Sequence, residues 1–226
     1  MHLLVTGTGS AATAERHDTL RRRIRWIVAA TIAYNLVEAV VAITAGTAAS
    51  SGALIAFGLD SAIEVLSAAA VAWQFTRRDP ERWERPTLRV IAIAFFALAA
   101  YVTASSLLTL LSREEAGHSP AGIVLTALSL VIMPFLSLAE RRAGRELGSA
   151  TAVADSKQTL ICAYLSAAVL LGLLLNSLLG WWWADAVAGL VIAGFAVREG
   201  WEAWRGDACA TSVGMLLEDE HDEPDD

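Results

Sequence analysis

Long apolar runs broken by short polar links set the pattern of this chain. About 20 apolar residues suffice to carry a helix across a bilayer. Runs of that kind fall at about 26–46, 52–75, 90–111 and 121–139, then up to 179 and over 181–197. Each predicts one helix. The links are short and differ in kind. Residues 46–51 form a small loop, and 76–86 hold two prolines. Residues 112–120 and 140–148 are polar, and Gly180 alone separates the fifth run from the sixth, which predicts a tight hairpin. In the third run Ala97, Ala100 and Ala104 recur at helical spacing, a pattern that favours close helix packing. Pro134 late in the fourth run predicts a kink. Trp181, Trp182 and Trp183 have the character of an interfacial anchor. Asp185, in the first turn of the last helix, is placed to cap free backbone N–H groups.

The fold class expected is therefore an all-α membrane protein, six transmembrane helices in a bundle. Residues 1–20 are expected to be a flexible N-terminus without the apolar core of a signal peptide. Residues 21–200 form the transmembrane domain and 201–226 an acidic tail. Orientation follows from the basic residues. Of 17 Lys and Arg, all but Arg113 fall on the side that carries both termini. Both termini are thus expected to be cytoplasmic, in a multi-pass protein of the cell membrane.

Composition sharpens this picture. The chain is 55% hydrophobic and 18% charged, against about 25% charged in soluble domains. Its net charge of −7 argues against nucleic acid as a partner. Much of that charge lies in 218–226, a stretch read as a solvated tail in which His221 gathers cations only weakly. Cys162 and Cys209 do not suggest a disulfide, one being in a helix and the other in the tail.

The exceptions to apolarity carry the chemistry. Asp60 and Glu64 sit four residues apart in the second run, on one helical face, and Ser67 continues it. Carboxylates inside a membrane span are costly and mark ion or proton sites by default. Asn35 and Glu38 share a face of the first run, with Glu38 near mid-span. It serves either as a proton relay or as a hydrogen-bonding partner of a neighbouring helix. In the fifth run Gln158 and Cys162 are again four apart, with Asp155 one turn earlier. A thiol and an amide opposite two carboxylates make a four-ligand set, and a thiolate favours borderline or soft divalent metals such as zinc. At about 1.5 Å per residue the two pairs lie at different depths, so they meet only if one helix tilts or projects past the other. Antiparallel packing would then set Cys162 nearer Asp60 and Gln158 nearer Glu64.

At these residues the chain resembles the cation diffusion facilitators, over roughly 20–205. The paired Asp60 and Glu64 look like that family's second-helix ligands. Ala154-Asp155 looks like the dipeptide that opens its fifth helix, which puts ligands at Gln158 and Cys162. Trp183-Ala-Asp-Ala-Val-Ala-Gly189 looks like the start of its sixth. The chain departs from the family in having no His in either ligand pair and Gln158 where a stronger ligand is usual. The family's C-terminal cytoplasmic domain is not expected, nor is a His cluster between the fourth and fifth helices. The resemblance implies a transporter, not an enzyme. It would export a divalent metal from the cytoplasm by proton antiport, with zinc first and iron, manganese or cobalt behind it. No cofactor would be permanently bound. The implied partners are metal ions, protons, the lipid bilayer and a second copy in a homodimer. Asn35, Glu38 and Asp155 would serve proton coupling or support the ligands. Two other classes stay open. One is a non-transporting sensor or scaffold with the same fold. The other is a membrane enzyme, against which stands the lack of a His inside any span.

Overall fold

The computed structural model describes residues 8–75, 80–113, 115–147 and 150–206. Within them the chain forms six helices and no strands: α1 (Thr8–Ala49), α2 (Gly52–Phe75), α3 (Pro80–Ser112), α4 (Pro120–Leu147), α5 (Ala150–Leu179) and α6 (Trp183–Arg205). The all-helical bundle expected from the apolar runs is the one observed. Helix α1 starts well ahead of the first apolar run, through a stretch whose three alanines and five arginines favour a helix. The helices α3 and α4 continue through Pro86 and Pro134. The side chain of Asp155 and the whole acidic tail with His221 and Cys209 lie outside the described residues.

The helices α1 to α5 each contain a stretch long and apolar enough to cross a membrane. The helix α6 does not by that measure, because Asp185 at one end and Arg198, Glu199 and Glu202 at the other leave a short uncharged stretch between them. It is nevertheless packed into the bundle, against α3, α5 and α2. The core is built from Leu54, Phe57, Val102, Leu165, Val169, Leu173 and Ile192.

The distribution of polarity is inverted relative to a soluble bundle. Leu66, Ile93, Leu111, Val131, Phe135 and Leu178 face outward. Asn35, Glu38, Asp60, Thr126, Ser129, Glu140 and Ser166 are buried. In lipid the outer face gains nothing from being polar, whereas buried polar groups hold helices together by hydrogen bonds.

Small residues set how closely the helices approach. A Cβ on Gly58 of α2 would stand 2.8 Å from Ile43 Cγ1 and 2.9 Å from Ala42 Cβ of α1. The α1–α2 connection is tighter than the expected loop, since α1 runs to Ala49 and only Ser50 and Ser51 intervene. At Gly180 the backbone takes φ 65°, where glycine is favoured. That turn makes the α5–α6 hairpin.

Two expectations about packing are corrected. Ala97, Ala100 and Ala104 lie on the exposed face of α3. Its buried face carries Ala92, Phe95, Ala99, Val102 and Ser106. Both stripes have helical spacing, so spacing alone did not choose between them. Close approach is supplied from the partner helix α6, where Ala188, Gly189, Ala193 and Ala196 are buried. Asp185, in turn, does not cap its own helix, whose N-terminus has no side-chain cap. Its carboxylate crosses the bundle to the start of α2. There it accepts a hydrogen bond from Ser51 Oγ at 2.5 Å and one from the Ala53 N–H at 3.3 Å. Ser51 Oγ in turn accepts from the Leu54 N–H at 3.1 Å. Asp185 thus acts on the free amides of α2 and locks two helices together.

The eight tryptophans collect at the two ends of the bundle. Trp26, Trp73, Trp83, Trp201 and Trp204 mark the end where α1 enters and α6 leaves. Trp181, Trp182 and Trp183 mark the other. At the first end Arg89 lies 5.9 Å from the Trp204 ring centroid and Arg205 5.1 Å from that of Trp201. At the second, Trp181 and Trp183 stack with centroids 5.2 Å apart. Such paired belts are what a membrane–water boundary on each side selects.

Candidate metal centre

Helix α2 presents Asp60, Glu64 and Ser67 along one face. The residues from α1 and α5 that meet that face converge on Glu64. Asn35 Nδ2 of α1 donates to Glu64 Oε2 at 2.7 Å. From α5, Cys162 Sγ donates to Glu64 Oε1 at 2.9 Å and Gln158 Nε2 donates to the same oxygen at 3.3 Å. The difference in depth along α2 and α5 is overcome at this contact, where Glu64 meets both Gln158 and Cys162. The partition differs from the one expected. Cys162 bonds Glu64 rather than Asp60, so one carboxylate serves as the hub for both α5 side chains. Asp60 is buried one turn nearer the start of α2.

These side chains line a cavity of about 110 Å³, into which Asn35, Glu64, Ser67, Gln158 and Cys162 face, with Glu199 and Glu202 of α6. Apolar walls are supplied by Ile91, Phe95 and Met133. Asp60 does not line it. Among the described residues no group of three or more His, Cys, Asp and Glu side chains is gathered closely enough to hold a metal ion. Any coordination in this conformation therefore needs the amides.

A second polar centre lies beside the first. Glu38 is buried and accepts hydrogen bonds from Ser61 Oγ of α2 at 2.7 Å and from Ser129 Oγ of α4. Ser129 Oγ also lies 2.8 Å from the Tyr34 hydroxyl. Glu38 thus ties α1 to α2 and α4, and Ser61 adjoins Asp60 in sequence. A third tie joins α4 to α5, where Thr159 Oγ1 donates to Glu140 Oε2 at 3.1 Å and Ser137 Oγ to the Ser156 carbonyl at 2.5 Å.

Sequence reasoning missed Glu199, Glu140 and the serines. Glu199 and Glu140 stand just past the apolar runs and read as polar ends. Their 3.6-residue phase relative to the buried stripe of each helix was the signal available: Glu199 follows Ala196 by three and Ile192 by seven.

A bundle of apolar helices that turns its acids, amides and thiol inward defines a polytopic membrane protein built to handle a small polar or charged species. Residues 28–206 match the cation efflux transmembrane domain, and the chain belongs to that family, the cation diffusion facilitators. Membership places it among transporters rather than enzymes. Among known proteins it is similar to the cation-efflux pump FieF of Shewanella oneidensis, with 30% identity over 138 residues. That match takes in 58% of this chain and 45% of the relative, so the chain spans less than half of that protein's length.

Proposed function

We propose that this chain exports a divalent metal cation from the cytoplasm, with Asp60, Glu64, Gln158 and Cys162 as the cargo site. The observation that carries this reading is the convergence of Gln158 and Cys162 on Glu64 at a cavity inside an apolar bundle. A carboxylate and a thiol bind metal only when deprotonated, so cargo and protons compete for the same atoms. Proton antiport follows naturally: metal arriving from the cytoplasm displaces protons, and protons arriving from outside release metal. Cys162 favours zinc or a similar borderline ion, with iron, manganese and cobalt less suited to sulfur. Glu38, held by two hydroxyls next to Asp60, is the proton-coupling carboxylate in this scheme. The arginine-rich end faces the cytoplasm, and with six spans both termini do. The homodimer stays part of the proposal on family grounds alone.

The test is uptake of Zn²⁺, Mn²⁺, Fe²⁺, Co²⁺ and Cd²⁺ into liposomes holding the purified protein under an imposed pH gradient. Proton-dependent flux of at least one ion, lost in Asp60→Ala, is the expected outcome. Folded protein that moves none of them refutes transport and leaves the sensor or scaffold as the function.

A further inference from the structure

Two buried oxygens on residues that line the cavity have no role in the site described so far. Among the described residues, Asn35 Oδ1 and Glu199 Oε1 are buried side-chain atoms without a hydrogen-bond partner. Both belong to residues that line the same cavity as Glu64. Asn35 is 6% exposed and is held by its Nδ2 bond to Glu64, which fixes where its oxygen points. The amide oxygen can only accept, and so can the oxygen of an ionised Glu199. Burying an acceptor without a donor costs free energy, and two such atoms belong to residues that share a cavity with the Glu64 carboxylate. A cation resolves that deficit as a donor cannot, because it satisfies several oxygens at once. The space suits it: about 110 Å³ exceeds the roughly 10–15 Å³ that one water needs, so a cation fits with part of its hydration shell.

Resting on the proposed export of a divalent cation, we propose that Asn35 of α1 and Glu199 of α6 form, with Glu64, a reception station for that cation, ahead of the site completed by Asp60. Asn35 Oδ1 and Glu64 hold the ion, and Glu199 supplies the second negative charge from the α6 side. Glu64 is shared, so the ion passes from the station to the inner site by exchanging Asn35 and Glu199 for Asp60 and Cys162. Glu202 also lines the cavity, but its Oε1 is engaged with Arg198 Nε at 2.9 Å, so it is not given a ligand's place in the station.

Cd²⁺ titration of the purified full chain in nanodiscs tests this, with thermal melting to verify that each variant is folded. Wild type is expected to bind Cd²⁺, and Asn35→Leu and Glu199→Gln each to weaken binding by about tenfold, the low end of what a lost supporting partner costs. Asn35→Asp, which keeps an oxygen ligand but sets a second carboxylate against Glu64 Oε2 in place of the Nδ2 donor, is expected to hold or tighten binding, because the cation then bridges the two acids. It also keeps the proposal testable should Asn35→Leu fail to fold. Glu202→Gln should change affinity less than about twofold. If Asn35→Leu and Glu199→Gln bind like wild type while Asp60→Ala does not, the station is refuted and the cargo site stands. If Glu202→Gln weakens binding as much as Glu199→Gln, a general negative field replaces the station. A wild type that binds no Cd²⁺ overturns both the station and the cargo site.

Discussion

Removing Asp185 is expected to destabilise the bundle substantially, through α2 rather than through the helix that carries it. In Asp185→Ala the Ser51 hydroxyl and the Ala53 N–H lose a charged acceptor, and both residues are almost fully buried. Hydrogen bonds to charged groups contribute about 1.5–3 kcal/mol each. Two of them are offset in part by relief of the carboxylate's own burial, and inter-helix hydrogen bonds in bilayers often measure lower, about 0.6 kcal/mol on average. A net loss of about 2–4 kcal/mol follows for this paired, charged case. For a chain of this size each kcal/mol moves Tm by about 2–4 °C, so a drop on the order of 5–15 °C is expected. Asp185→Asn keeps an acceptor for Ser51 but turns an amide NH₂ toward Ala53, and should lose roughly half as much. Ser51→Ala should do the same. The double variant Ser51→Ala/Asp185→Ala should fall short of the sum of the singles, because both break one contact. Thermal unfolding in detergent, followed by loss of the monodisperse chromatographic peak, measures all four. An Asp185→Ala protein melting within about 2 °C of wild type, or fully additive singles, would refute the cross-helix lock.

Three further outcomes are expected. Gly58→Val should destabilise by about 1–3 kcal/mol through overpacking against Ala42 and Ile43, read from the same melts. Cys162→Ser should weaken Zn²⁺ and Cd²⁺ binding far more than Mn²⁺ binding, because oxygen replaces sulfur. In wild type, affinity for all of them should fall as pH falls, since protons reclaim Glu64 and Cys162. Calorimetry across pH, with an ion preference unchanged by the serine, would remove Cys162 from the coordination set.

The helices were legible because an apolar run of span length has few alternatives. Which face of each turns inward was less so. Ala97, Ala100 and Ala104 had the spacing of an interface, yet α3 packs through its other stripe, which only the position of α6 decides. Asp60, Glu64, Gln158 and Cys162 stood out as polar groups inside apolar runs, and the fold brings three of the four together. Glu199 was hidden by its place beyond the last run. Asp185 was legible as a cap but not as the cap of another helix, since a carboxylate's reach across a bundle leaves no trace in local sequence.

The placement of tryptophan has a spectroscopic consequence. All eight indoles stand at the two ends of the bundle, and none lines the cavity around Glu64. Their emission is therefore a depth gauge. Lipids brominated near the headgroup should quench it strongly, and lipids brominated at the chain ends weakly. The same emission should be nearly blind to cargo, so a change in it on adding metal would signal movement of a helix end against the bilayer rather than occupancy of the centre.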